Sequence, residues 1–297
     1  MKIGIIGAGS IGLLFAGYLG KHFNVTIFPR RKEQAIKINQ NGITVHNQHS
    51  SFNTATYASN MKNEWNQQNL IIIAVKQYHL ENILPDLKNI DSQIPLLFLQ
   101  NGMMHLSMIN NLESKAIIIG SIEHGALKIN DTSVEHNGIG KTNIAAFKGS
   151  LDSLEPILKL NHENFLFTVC PNYEEILINK LLVNAMINPL TAILKIKNGE
   201  LVHNAHYNRI FLELFKEIMV LFPEMDQEKC LNDILLICQN TGNNESSMLK
   251  DIKNKKETEV DAIIGYLLNC AKEKKVYLPI TNTIYEMIKG MEKRRGV

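Results

Sequence analysis

A chain of 297 residues is long enough for two domains of ordinary size. Its composition, 45% hydrophobic and 20% charged, is that of a globular protein, and a formal net charge of +2 lacks the basic excess that a nucleic-acid partner needs. The four cysteines, Cys170, Cys230, Cys238 and Cys270, form no CxxC pair and read as reduced, mostly buried thiols suited to a cytoplasmic protein.

The first stretch, "MKIGIIGAGSIGLLFAG", has the lysine, apolar run and small residues of a signal peptide in outline, but Gly4, Gly7, Gly9 and Gly12 interrupt the run. A strand followed by the GxGxxG sequence Gly7-Ala8-Gly9-Ser10-Ile11-Gly12 explains it better. Only glycine lets the backbone turn so tightly and approach a pyrophosphate, whose charge then meets the amides of a helix N-terminus. A helix over 12–21 and a second strand, "NVTIFP", supply the context that makes this a dinucleotide-binding loop. An acid closing the second strand would hold the ribose hydroxyls of NAD. Here "FPRRK" offers Arg30 and Arg31 instead, and guanidinium forks match a 2′-phosphate, so NADP(H) is the expected cofactor. Arg30 is nearer the strand end and is the expected contact, with Arg31 as the alternative.

Three more β-rich runs, "NLIIIAV", "PLLFLQNG" and "AIIIGS", alternate with helix-like stretches such as 78–89, which predicts a parallel sheet with helices on both faces. Lys76 and Asn101 fall at the ends of two of these strands, the edge where open α/β sheets bind ligands. The Gly-punctuated region 121–147 predicts added antiparallel strands. Beyond about residue 170 strand signals stop, and periodic segments around 174–196, 204–222, 227–240 and 258–274 predict an almost wholly helical second domain. The expected division is 1–168, a Rossmann-type α/β domain with a parallel sheet, and 169–297, an all-α domain. No apolar run approaches the length that spans a membrane. His203 and His206 have helical spacing but no third ligand nearby, so no metal is expected. The lysine-rich runs near Lys253, Lys272 and Arg294 read as solvated helix faces.

Within "NKLLVNAMINPLTA", Lys180, Asn184 and Asn188 stand four residues apart among apolar residues and would stack along one helix face. A lysine and two amides are costly to bury unless something satisfies them, so this face should meet polar groups. Pro189 disfavours helix at Asn188, which predicts a distortion there. Thr258 is a fitting N-cap for the helix after it.

Taken with "LQNGMMH", "NGEL" and "SSMLKDIKNKKETEVD" in the same order, the chain resembles the ketopantoate reductase family over essentially its whole length. The resemblance implies a Rossmann domain followed by a helical domain, with the active site in the cleft between them. It also implies NADPH-dependent reduction of 2-dehydropantoate (ketopantoate) to pantoate in pantothenate biosynthesis. By the same resemblance Lys180 is the catalytic lysine that hydrogen-bonds the ketone and protonates the alkoxide, and Glu259 orders the lysine and the substrate. Asn184, Asn188, Asn198 and Asn244 match substrate-binding positions, and Ser247 matches the serine that binds the substrate carboxylate. Asn101 matches a position near both nicotinamide and the reacting carbonyl, and Lys76 is similar to a family lysine near the cofactor. Burial would lower the Lys180 pKa and a nearby carboxylate would raise it, so its shift is left unsigned. The helical domain carries enough apolar surface for a homodimer. Reduction of another branched 2-keto acid, and a non-catalytic NADP(H)-responsive binding module, are the competing readings.

Overall fold

In this computed structural model the structure describes residues 1–47, 50–160 and 162–293. The chain divides into two compact units, one of Met1–Gln100 with His105–Ile176, the other of Asn101–Met104 with Leu177–Val297.

The first unit begins as the glycine pattern requires: β1 (Lys2–Ile6), α1 (Ser10–Leu19), β2 (Asn24–Phe28) and α2 (Lys32–Asn41). β3 (Ile43–His46), β4 (Ser51–Thr54), β5 (Tyr57–Ala58) and β6 (Leu70–Ile73) follow, then α3 (Gln77–Leu87), β7 (Leu96–Phe98) and α4 (His105–Ile109). β8 (Ile117–Ile122), β9 (Gly125–Lys128), β10 (Ser133–Gly138), β11 (Lys141–Lys148), α5 (Glu155–Leu158) and β12 (Leu166–Val169) complete it. Eight strands form one sheet in the order β12-β11-β8-β7-β6-β1-β2-β5. β1 pairs in parallel with both β2 and β6, so the chain leaves it in opposite directions across the sheet, the topological switch point where such folds bind ligands. All four β6 side chains, Leu70 to Ile73, are fully buried, as a strand covered on both faces must be. Each contributes roughly 1.5–3 kcal/mol by leaving water.

The region 121–147 does contribute antiparallel pairs, β8 with β11 and β9 with β10. Part of it builds a second sheet, β4-β3-β10-β9, which sequence periodicity did not foretell. Its β9–β10 hairpin packs against α1, next to the glycine loop.

The second unit is built on α6 (Tyr173–Leu194), followed by α7 (Glu200–His203), α8 (Ala205–Met219), α9 (Gln227–Asn240) and α10 (Ser247–Lys253). A π-helical turn at Asp261–Gly265 leads into α11 (Tyr266–Lys274), and α12 (Pro279–Lys293) closes the chain's described part. α12 extends past the last periodic segment read from sequence. Pro279 stands first in it, where its missing N–H costs nothing, and Glu217 of α8 accepts the amides of Ile280 and Thr281.

Several sequence expectations change here. α6 passes through Pro189 without interruption, although proline cannot donate to the Ala185 carbonyl one turn back; Pro189 is itself buried, with the apolar residues around it on α6 enclosed in the core. α6 is also long and apolar enough by composition to cross a membrane, contrary to the reading of the apolar runs. Its most apolar window is 61% buried within the protein, as suits a core helix, and Leu181, Leu182, Ala185 and Met186 are almost fully enclosed. His203 ends α7 and His206 lies in the first turn of α8, separated by the cap Asn204, so the two do not share one helix. Lys253 is exposed and pairs with Glu245, Lys272 is exposed, and Arg294 lies outside the described residues. The four cysteines are free thiols, and burial pushes Cys238 up to about 12.

Candidate active site

The glycine loop has the shape a pyrophosphate needs. Gly7 sits at φ +106°, which L side chains rarely adopt, and a Cβ on Gly12 would come 1.8 Å from the Gly7 carbonyl oxygen. A Cβ on Gly9 would meet nothing within 4 Å, so this flank of the loop is open. α1 starts at Ser10 with no side-chain cap, leaving its first amides available to an anion. These features of Gly7, Ala8, Gly9, Ser10, Ile11 and Gly12 fit a dinucleotide.

The two arginines after β2 differ. Arg31 pairs with Asp131 in the tip of the β9–β10 hairpin, as do Lys37 at 2.9 Å and Lys128 at 3.5 Å. The Lys37 hydrogen bond, helped by the charges of Arg31 and Lys128, holds the Asp131 carboxyl below the usual aspartate value despite partial burial. Arg30 is exposed, with no ion pair or hydrogen bond among the described residues. The same hairpin braces the glycine loop: Lys128 Nζ lies 3.1 Å from the Ala8 carbonyl, and the Lys128 amide donates to Ser10 Oγ at 3.0 Å. Gln34 of α2 ties Ala8 to Asp131 by bonding both carbonyls at 3.0 Å. No sequence motif marked Asp131, Lys37, Lys128 or Gln34, because three chain segments bring them together. Lys76 is half-buried at the N-cap of α3, just past β6, its ammonium 5.7 Å from the Tyr78 ring centroid.

In the second unit Lys180, Asn184 and Asn188 follow one another at single-turn spacing on α6, the first two half-buried and Asn188 buried. Asn188 Nδ2 donates to Ser247 Oγ at 3.3 Å, joining residues 59 apart in sequence. Thr191, one turn on, donates to Ser246 Oγ at 2.7 Å, and Ser246 in turn caps α10 by accepting from the Leu249 amide. Ser247 is thereby fixed beside α6 while remaining exposed.

Asn101 Nδ2 donates to Glu259 Oε2 at 2.8 Å across 158 residues. The seat for this contact is Gly102, at φ +73°, whose Cβ would fall 2.2 Å from the Ala262 carbonyl oxygen in the π turn. The sequence places Asn101 at a strand end, and nothing in it signals what the residue after it rests on.

Asn198 and Asn244 are also brought together, but through the backbone, Asn198 N to Asn244 O at 3.1 Å. The Asn198 side chain is buried and donates to Thr241 Oγ1 at 2.9 Å, so it braces the loop that presents the exposed Asn244. An apolar groove of about 380 Å³ between α6, α8 and α12, lined by Leu190, Ile210, Ile284 and Met287 among others, contains none of these residues.

The family described as ketopantoate reductase PanE/ApbA matches residues 3–149, and its C-terminal part matches residues 172–292. The chain belongs to the ketopantoate reductase family. Its curated relatives include a 2-dehydropantoate 2-reductase of Listeria innocua, 38% identical over 100% of this chain and 99% of the relative. One from Bacillus subtilis is 37% identical over 99% and 98%. The crystal structure of a probable 2-dehydropantoate 2-reductase from Bacillus subtilis superposes with a TM-score of 0.90 at 36% identity, covering 98% of this chain and 100% of that one. D-mandelate dehydrogenase with NADH gives a TM-score of 0.89 at 22% identity, covering all of both chains, a likeness of fold alone. Ketopantoate reductases are pyridine-nucleotide-dependent oxidoreductases, and the fold by itself does not choose between the two nucleotides.

Proposed function

We propose that this protein reduces 2-dehydropantoate to pantoate with NADPH, in the cytoplasm, on the route to pantothenate. The observation that carries the reading is the pairing of Asn188 with Ser247 and of Asn101 with Glu259, which gathers expected site residues from distant segments of a ketopantoate reductase chain. NADPH is favoured over NADH because two arginines stand where an NAD site needs an acid, and Arg30 is the one not spent on Asp131. The glycine loop and the α1 N-terminus would hold the pyrophosphate and Arg30 the 2′-phosphate, and Lys76 and Asn101 are the residues assigned to the nicotinamide by the family resemblance.

When bound, the nucleotide supplies the hydride that C2 of the keto acid receives. Lys180 donates a hydrogen bond to the ketone oxygen and gives up its proton as negative charge builds there, which is where a fixed cation lowers the barrier most. Glu259, held by Asn101, orients the lysine and the substrate. The Ser247 hydroxyl donates to the substrate carboxylate. Asn184, Asn188 and Asn244 suit the hydroxymethyl arm, since an amide donates to one oxygen while accepting from a hydroxyl. Asn198 acts by bracing the Asn244 loop.

The test is a substrate and cofactor panel followed by nicotinamide absorbance. Ketopantoate with NADPH should be preferred, with 2-ketoisovalerate, which lacks the hydroxymethyl arm, losing about tenfold or more in kcat/KM because the hydrogen bonds of Asn184, Asn188 and Asn244 to that arm are lost. Equal use of the two acids would point to a broader 2-keto-acid reductase. Tight NADPH binding with no turnover of any keto acid would point to a binding module.

A further inference from the structure

The groups that hold Glu259 in place come from α12, some thirty residues further along the chain. Its neighbour Thr258 is 2% exposed, and both its amide at 2.8 Å and its hydroxyl at 2.7 Å donate to one oxygen, Glu292 Oε1. The same hydroxyl accepts from the Val260 amide at 3.2 Å, fixing both residues that flank Glu259. Asp261, the first residue of the π turn, accepts from Tyr285 Oη at 2.6 Å and from Lys289 Nζ at 2.9 Å. Lys289 also reaches Glu292 Oε2 at 3.2 Å. Tyr285, Lys289 and Glu292 therefore share one face of α12 at helical spacing, and all three bear on the segment 258–261. Burial works against the Lys289 charge, but the hydrogen bonds to Asp261 and Glu292 outweigh it and raise its pKa. The Glu292 side chain is only 11% exposed.

We propose that Glu292 is a positioning residue for the reaction: through Thr258 it sets the entry into the π turn and so aims Glu259 at Asn101. The inference rests on the reading of Glu259 as a catalytic residue. A π turn is a rare insertion into a helix that neighbouring contacts must hold, and here Gly102 packs against it at Ala262 while Glu292 supports its entry. Without the Glu292 carboxylate, a buried amide and hydroxyl of Thr258 lose their acceptor, and the segment moves to satisfy them.

The α12 helix supplies its own control. At its N-terminal end Glu217 accepts the amides of Ile280 and Thr281 and the Thr281 hydroxyl, an equivalent set of bonds remote in sequence from Glu259. Glu292→Ala should lower kcat/KM for ketopantoate about ten- to hundredfold, the scale of a small misplacement, with the NADPH dissociation constant unchanged. Glu292→Gln should restore most of the turnover, since its amide oxygen accepts the same two bonds. Glu217→Ala should destabilise the protein comparably yet keep its turnover. Full turnover in Glu292→Ala, no rescue by Gln, or an equal loss in Glu217→Ala would each overturn the proposal. Hydrogen exchange separates this outcome from failure of the functional reading. If the intact protein does not reduce ketopantoate, faster exchange of the Glu259–Gly265 amides in Glu292→Ala but not in Glu217→Ala sustains the positioning role, and unchanged exchange refutes it.

Discussion

Replacing Gly102 by alanine adds one methyl group at the point where the Asn101 loop rests on the π turn. Two costs add. At φ +73° an L residue is strained by about 1–2 kcal/mol. The new Cβ would also lie 2.2 Å from the Ala262 carbonyl oxygen and 3.0 Å from its carbon, well inside the 3.4 Å of ordinary contact. Both obstacles are backbone, so no side chain can swing aside, and overpacking of this kind costs about 1–3 kcal/mol. The gain from a stiffer unfolded chain returns about 0.4–1 kcal/mol, leaving a net loss of roughly 1–4.5 kcal/mol if the loop stays seated. The loop relieves that strain by lifting about 1 Å, which breaks the 2.8 Å Asn101–Glu259 bond and costs about a hundredfold in rate. Steady-state kinetics with ketopantoate, NADPH binding by fluorescence and denaturant unfolding together read the outcome. A Gly102→Ala protein with unchanged kcat/KM and unchanged stability would refute the reasoning.

Arg30→Ala should weaken NADPH by about 1.5–3 kcal/mol, roughly ten- to hundredfold, and leave NADH alone, as titration of each nucleotide will show. Arg31→Ala, which removes a half-exposed ion pair, should cost about 1 kcal/mol or less. His105 is fully buried, neither ring nitrogen has a partner among the described residues, and burial pushes its pKa down to about 4. The unfolded chain takes up the proton near pH 6.5 and the folded one does not, so stability is complete above pH 6.5 and falls by about 3 kcal/mol on acidification to pH 4; His105→Leu should flatten that slope in denaturant titrations across this window. Lys195, Lys255 and Lys275 hold left-handed φ of 57°, 53° and 55° at the ends of α6, α10 and α11, where glycine is the usual cap. Each Lys→Gly change should stabilise by about 0.5–1 kcal/mol, read as a rise in Tm.

What sequence reveals depends on how local the cause is. The glycine loop, the buried strands and the polar face of α6 are written in contiguous residues, and each is found where its pattern lies. The Pro189 rule was sound locally, but it removes only one bond of α6, and the burial of the helix around it, from Ala185 to Ala192, is a tertiary effect that keeps α6 whole. The three left-handed lysines were invisible because glycine, the usual signal, is absent at those caps. Asp131, Glu292 and the seat under Gly102 each depend on segments that meet only in the folded chain. A single sequence carries no trace of such a meeting.

The most direct test of the account is Lys180→Ala, assayed for ketopantoate reduction with NADPH binding measured on the same preparation. Loss of kcat by about a thousandfold or more, the scale of general-acid and electrostatic stabilisation together, with NADPH bound as tightly as before, is the result the account requires. Turnover within about tenfold of the intact protein, at equal nucleotide affinity, would contradict it and remove Lys180 from the chemistry.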